Sequence, residues 1–190
     1  TAYMSSERRF RLVEGESAEA MGTAAAEDAA ALLEHYTREL GREVIAVFAA
    51  APSQDTFLQA LADRKDRIAW ERVIAFHLDE YSALPADHPN TFKAYLAEHI
   101  FSRVPIPDKN ISYIKDAPEN SGGVASWYAR LFAEALERVR AGGGLYVGFL
   151  GVGVNGHIGF NEPNTNLEAP ESFLEIEIDE TSVQQQYDDY

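Results

Sequence analysis

Three short apolar runs, each separated from the next by segments of helical pattern, limit what this 190-residue chain can fold into more than any other feature. They are Glu43–Phe48, Val73–Phe76 and Leu145–Leu150. Continuous apolar runs of strand length, rich in β-branched residues, suit strands buried on both faces. Upstream of the first run, Phe10–Val13 is a short strand candidate and Glu14–Ser17 a turn and helix start. Met21, Ala24, Ala25, Leu32, Leu33, Tyr36 and Leu40 then fall mostly at helical spacing until Gly41 stops the run. Pro52 and Ser53 open a second helix through Phe57 and Leu61, with Ser53 as its N-cap. Thr91 to Phe101 reads as helical and Asn110–Ile114 as a further short strand. From Ser121 to Arg140, Val124, Trp127, Tyr128, Leu131, Phe132, Ala135, Leu136 and Val139 form an apolar stripe that Gly142–Gly144 ends. Phe173–Ile178 alternates as a half-exposed strand does. Repeated strand–helix alternation predicts an α/β fold: an open, mostly parallel sheet with helices on both faces. A chain of this length fits one domain, residues 1–190.

The charge balance narrows the partners. There are 31 acidic residues against 16 basic ones, a formal charge of −15. Nucleic acid and anionic membrane are disfavoured as partners, because neither attracts a strongly negative surface. A small anionic substrate would need backbone donors or a few well-placed cations. Cysteine is absent, so thiolate catalysis, disulfides and cysteine–metal sites are excluded. No apolar run reaches the ~18 residues of a membrane span. The amino terminus lacks the apolar core of a signal peptide, so a cytoplasmic location is the expectation. The five histidines show no metal-ligand spacing, and no P-loop or nucleophile elbow occurs.

The chemistry concentrates where apolar runs end. Leu145–Leu150 leads into Gly151-Val-Gly-Val-Asn-Gly-His-Ile-Gly-Phe-Asn-Glu-Pro163. Glycines allow turns and close approaches that side chains would block. Asn155, His157 and Glu162 are thus delivered together at the carboxyl end of a strand, where ligands bind in open α/β sheets. An imidazole titrating near neutrality suits proton transfer, and a neighbouring amide and carboxylate would orient it or stabilise its charge. Asp79-Glu80 follows the run Val73–Phe76, and two adjacent carboxylates repel, which can raise one pKa into the range of a general base. If the strands before Asp79 and before Gly151 are neighbours, Asp79 and His157 meet at one rim. The Ala49-Ala-Ala-Pro-Ser53 turn opens a helix whose free N–H groups suit a phosphate, although from the sequence alone an ordinary capped helix start is the better reading.

Phe76-His-Leu-Asp-Glu-Tyr-Ser-Ala-Leu-Pro85 and Gly151–Pro163 together resemble the glucosamine-6-phosphate deaminase/isomerase family, a likeness running from about Phe10 to the end of the chain. The resemblance implies a Rossmann-like fold, shared more distantly with phosphogluconolactonases and ribose-phosphate isomerases. It implies that Asp79 moves a proton between C2 and C1 of an opened amino sugar, that His157 opens the ring, and that Asn155 and Glu162 orient and tune it. The same correspondence sets Ser53, Ala51, Glu80, Gly153 and Gly156 against the substrate. The implied reaction converts glucosamine or galactosamine 6-phosphate to a ketose 6-phosphate and ammonia, with no cofactor and no metal. A homo-oligomer is compatible with it. A sugar-lactone hydrolase of the same superfamily and a non-catalytic sugar-phosphate-binding protein are the alternatives. This chain departs from the family at Ala49–Gln54, where a Gly/Thr-rich turn is usual, and at Ser172–Leu174, where basic residues are expected and Glu171 and Glu175 stand instead. Many members carry Asp where this chain has Asn155. The family also continues a strand–helix unit or two beyond the point matching Tyr190, so the domain is expected to lack its C-terminal part.

Overall fold

A computed structural model of the chain describes residues 11–162, 165, 166 and 168–189. Three parallel strands, β1 (Val44–Phe48), β2 (Val73–His77) and β3 (Leu145–Phe149), form the sheet in the order β2-β1-β3. Val44 pairs with Val73 on one side and Leu145 on the other, and the register continues to Phe48, His77 and Phe149. All three carboxyl ends therefore finish level. The runs before Asp79 and Gly151 are not adjacent, as β1 lies between them, yet the level register still brings both loops to one rim.

Side-chain alternation divides the core into two layers. Val44, Ala46, Phe48, Val73 and Ala75 face helices α1 (Ala18–Glu34), α2 (Asp55–Ala62) and α3 (Phe92–Leu96). Ile45, Val47, Ile74 and Phe76 face α4 (Val124–Ala141) through Tyr128, Phe132, Ala135 and Val139. Those four α4 residues recur at helical spacing and are the buried part of the sequence stripe; Val124 is exposed. Helices on both faces follow, as the alternation predicts. β3 is buried on one side only: Leu145, Val147 and Phe149 pack inward, whereas Tyr146 is exposed.

Local chemistry accounts for the boundaries. Ser17 caps α1 by accepting a hydrogen bond from Ala20 N at 3.1 Å. After α1 the chain widens into a π-turn over His35–Glu39 before Gly41 turns it at φ +61°. At Gly144 a Cβ would lie 2.1 Å from Glu43 O, so only glycine lets the chain enter β3 there. Ser53 is not the cap of the second helix. A 3-10 turn, Pro52–Gln54, precedes α2, and its N-cap position is Ala51, which has no side-chain cap. Helix 91–101 is α3 followed by a π-turn, Ala97–Phe101.

Three expected strands do not form. Residues 11–13 join no strand among the described residues, and Phe10 lies outside them. Asn110–Ile114 makes one bridge, Ile111 to Ala75, between 3-10 turns. Phe173 lies in a bend, residues 174–178 join no strand among the described residues, and the segment runs into a helix, α5 (Glu180–Asp189). Among the described residues no helix is long and apolar enough to cross a membrane.

Candidate active site

The level strand ends build a small cleft of about 60 Å³. The Ala49–Ala51 turn and Ser53 follow β1; Leu78 and Asp79 follow β2; Gly151–Gly153, His157, Gly159 and Phe160 follow β3; Gln185 and Gln186 reach in from α5. A second cavity of about 620 Å³ lies beside it, bounded by α4 and residues 171–178. Leu78, Asp79, Gly159 and Phe160 line both, so Asp79 stands where the two meet. No lysine or arginine among the described residues lines the smaller cleft.

Asp79 is held at the end of β2 by the residue two before it. Ile114 N donates to His77 Nε2 at 2.9 Å, so that nitrogen must be the acceptor. His77 Nδ1 then carries the proton and donates to the Asp79 carbonyl at 2.9 Å. Loss of water around the Asp79 carboxyl, aided by the Glu80 charge, pushes its pKa up to about 7. Glu80 itself is turned away: Oε1 accepts from Tyr81 N and Phe92 N at 2.9 and 3.1 Å, and Oε2 from Lys93 N at 2.9 Å. Its carboxylate caps α3.

The glycine loop is shaped around an imidazole. A Cβ on Gly153 would lie 2.2 Å from His157 Nε2, so the ring rests against bare backbone. Gly156 and Gly159 take φ +88° and +57°, and Phe160 follows in the left-handed region at +54°. That conformation costs a non-glycine residue on the order of 1 kcal/mol. Phe160 is held in it by its buried ring, stacked on Phe92 at 5.7 Å between centroids and tilted against Tyr81 at 5.8 Å. Asn155 Oδ1 accepts from His157 N at 3.1 Å, closing the turn.

Asn155 and Glu162 meet each other rather than the imidazole. Asn155 Nδ2 donates to Glu162 Oε2 at 2.6 Å and to Asp179 Oδ2 at 2.8 Å. The group that touches the ring is Ser182, whose Oγ lies 3.0 Å from His157 Nδ1. Neither Asp179 nor Ser182 belongs to the sequence-derived set. A signal existed: Asp179 caps α5 by accepting from Ser182 N at 2.8 Å, and Asp-x-x-Ser before a polar run is a helix start. α5 also ties down the cleft mouth, with Gln185 Oε1 accepting from Val154 N at 3.1 Å and Gln186 Oε1 from the Tyr81 hydroxyl.

Asp79, His157, Ser53, Ala51 and Gly153 are thus brought to one cleft; Asn155 and Glu162 sit behind the histidine; Gly156 is at the loop turn and Glu80 at the cap of α3. Ala51 presents its carbonyl to the Tyr95 hydroxyl at 2.7 Å. Pro163 lies outside the described residues. Among those described, no group of three or more His, Asp or Glu could hold a metal ion.

Comparison with known proteins bears on this geometry. The family model described as glucosamine-6-phosphate isomerases/6-phosphogluconolactonase matches residues 16–168. A glucosamine-6-phosphate deaminase of Geobacillus sp. (strain WCH70) is 31% identical over 168 residues, covering 88% of this chain and 62% of that protein. Glucosamine-6-phosphate deaminase 1 of Giardia intestinalis is 35% identical over 102 residues, 54% of this chain and 36% of its own. Among solved structures, a monomeric glucosamine-6-phosphate deaminase superposes with a TM-score of 0.76 at 21% identity, over 93% of this chain and 68% of that one. The 6-phosphogluconolactonase from Plasmodium vivax gives 0.65 at 16%, over 80% and 51%. The chain thus spans 62% or less of these two sequence relatives.

Proposed function

Because the chain belongs to the glucosamine-6-phosphate isomerase/6-phosphogluconolactonase family, we propose that its cleft isomerises and deaminates an amino-hexose 6-phosphate. One observation carries this reading: a carboxyl group with a pKa near 7 and an imidazole share one cleft at the carboxyl ends of parallel strands. Isomerisation needs a base for a C–H proton that can give the proton back. A group titrating near neutrality populates both forms and does both.

In the proposed sequence His157 takes the proton from the anomeric hydroxyl and returns it to the ring oxygen as the C1–O5 bond breaks, giving the open aldehyde. Asp79 then removes the C2 proton; the C2–H electrons form the C1=C2 bond and the carbonyl oxygen takes up a proton. Return of the proton to C1 leaves a C2 iminium ion. Water adds there, ammonia leaves, and the product is the ketose. Ser53 and the backbone of Ala51 are assigned to the sugar phosphate, and Gly153 and Gly156 to the loop that lets the sugar approach His157. Glu80 supports the rim indirectly, by fixing the start of α3.

The test is ammonia release from glucosamine 6-phosphate and galactosamine 6-phosphate. Asp79→Asn is expected to lower turnover by about 10²–10⁴-fold. Unchanged turnover in that variant removes Asp79 as the base. Lactone cleavage without ammonia selects the hydrolase instead, and binding without turnover of either epimer selects a sugar-phosphate-binding protein.

A further inference from the structure

The reaction proposed above occupies only the smaller cleft, of about 60 Å³, and leaves the adjoining cavity of about 620 Å³ without a role. Ala51 and Ser53, to which the sugar phosphate is assigned, precede α2 on one face of the sheet, whereas the larger cavity is bounded by α4 on the other. Asp79 stands where cleft and cavity meet. A sugar with its C6 end at Ser53 and its C2 hydrogen facing Asp79 therefore has C2 at the mouth of the larger cavity. In the opened sugar C1 carries only oxygen and hydrogen, while C2 carries the nitrogen. The group that can extend past Asp79 is thus whatever that nitrogen bears. We propose that the larger cavity holds an apolar substituent R on the amino nitrogen, and that the chain releases a primary amine, R–NH2, from a 2-(alkylamino)-2-deoxyhexose 6-phosphate as well as ammonia from the unsubstituted sugar.

The lining selects the chemistry of R. Phe173 meets Tyr128 and Phe132 edge-on, at 4.7 and 5.8 Å between ring centroids, and Tyr146 meets Phe132 in the same way at 5.5 Å. These rings make an apolar wall, and edge-to-face packing suits a further aromatic group. Lys115 is the one lysine or arginine among the described residues that lines the cavity, and its ammonium is engaged by the carbonyls of Tyr81, Ser82 and Leu84. Three donors meet three acceptors, so none remains for a carboxylate on the ligand. Glu171 and Glu175 line the same cavity and repel an anion. R is therefore an uncharged alkyl or aryl group. The step needs no reagent beyond the water already in the reaction. After the proton returns to C1, the C2 iminium ion carries R on its nitrogen. Water oxygen bonds to C2, the C2–N bonding electrons pass to nitrogen, and both water protons end there. R–NH3⁺ leaves, and C2 keeps the oxygen as the ketone.

Turnover of such a compound rests on the proposed isomerase/deaminase reading; its binding rests on the cavity alone. The unmodified chain is assayed with glucosamine 6-phosphate and with its N-benzyl derivative, and ketose 6-phosphate, ammonia and benzylamine are measured. The expected result is benzylamine release with a KM about tenfold below that of the unsubstituted sugar, from burial of the phenyl ring. Ala125 lines the larger cavity and not the cleft. Ala125→Phe is expected to lower kcat/KM for the N-benzyl compound about tenfold by filling that space, with ammonia release unchanged. Ammonia release with no benzylamine release, or with no lowering of KM for the N-benzyl compound, overturns the proposal. So does an Ala125→Phe chain that treats both compounds as the unmodified chain does. If neither compound turns over, the isomerase reading fails and calorimetry decides on the cavity. Binding of the N-benzyl compound about tenfold or more tighter than glucosamine 6-phosphate then supports the assignment, and equal affinity overturns it.

Discussion

Two histidines stand near the same rim, one at the end of β2 and one in the loop after β3, and both are buried: His77 is 1% exposed and His157 8%. Burial therefore does not separate them; saturation does. Both nitrogens of His77 are engaged by main chain, Ile114 N–H on one side and the Asp79 carbonyl on the other. Loss of solvation outweighs the help of that carbonyl and pushes its pKa down to about 4. It stays neutral and behaves as a fixed strut between β2 and the segment before α4. Among the described residues the His157 ring makes its hydrogen bond at Nδ1 alone, and to a side chain rather than to backbone. A ring satisfied on both sides holds the fold together, whereas a ring with an open nitrogen can exchange protons with a bound molecule.

The widest separation between the two is expected from His157→Gln and His77→Gln. Removing the cleft-facing imidazole should lower kcat/KM by about 10²–10⁴-fold, roughly 3–5 kcal/mol of barrier, with the thermal midpoint nearly unchanged. Removing the strut should do the opposite. A glutamine amide cannot serve both the Ile114 N–H and the Asp79 carbonyl from the positions of the two ring nitrogens, so one partly buried group loses its partner, and a loss of about 2–4 kcal/mol of stability by denaturant unfolding is expected, with activity falling only as folded protein is lost. Equal effects of the two variants on turnover would erase the distinction.

Acid separates them by a smaller amount. The folded pKa of His77 lies below its unfolded value of about 6.5. Its contribution to stability is therefore fully present above pH ~6.5 and is lost as pH falls toward about 4. Between those limits the unmodified chain should lose on the order of 2 kcal/mol that His77→Gln does not lose, measured by urea unfolding at both pH values. Asp79 has the reverse sign. Its folded pKa is raised to about 7, so its favourable contribution is present below its unfolded value and lost as pH climbs through 7. Turnover needs the ionised form, so kcat/KM should fall below pH ~7. Activity thus rises over the range in which Asp79 costs stability.

The sequence shows this contrast only in part, for physical reasons. β1 and β2 are legible because both of their faces are buried, which leaves unbroken apolar runs at Val44–Phe48 and Val73–Phe76. Asp79 and His157 are legible because chemistry placed directly after such runs lands at the strand ends. The failures share a cause. Phe173–Ile178 alternates correctly for a strand, but alternation is a local property and pairing needs a neighbour at the right distance. Ser53 is a good capping residue that falls between the two positions where the backbone needs a cap, Ala51 before the 3-10 turn and Gln54 before α2. Ser182 is 25 residues from His157 in sequence, and nothing in an isolated serine announces an imidazole. His77 was read as part of a motif, and only the structure shows that its two nitrogens are already used.

Gly153→Ala gives the smallest expected effect and tests the contrast most narrowly. The added methyl would lie 2.2 Å from His157 Nε2 and 2.3 Å from Cε1, closer than packed atoms come. Gly153 does not need a left-handed backbone, because it is not among the glycines of positive φ, so the methyl itself is the only new strain. Backbone cannot give way easily there, since Gly153 N donates to the His157 carbonyl at 2.9 Å. The ring must therefore turn out of the cleft, which breaks its contact with Ser182 and moves Nε2 away from the substrate. His77 lies on the far side of β1 from this loop and keeps both of its partners. The expected outcome is roughly a tenfold loss of kcat, about 1.4 kcal/mol, with the acid-dependent part of stability unchanged. Wild-type turnover in this variant would mean that His157 works from another position. A changed acid response would mean that the two histidines are coupled, and the division between strut and proton carrier would have to be withdrawn.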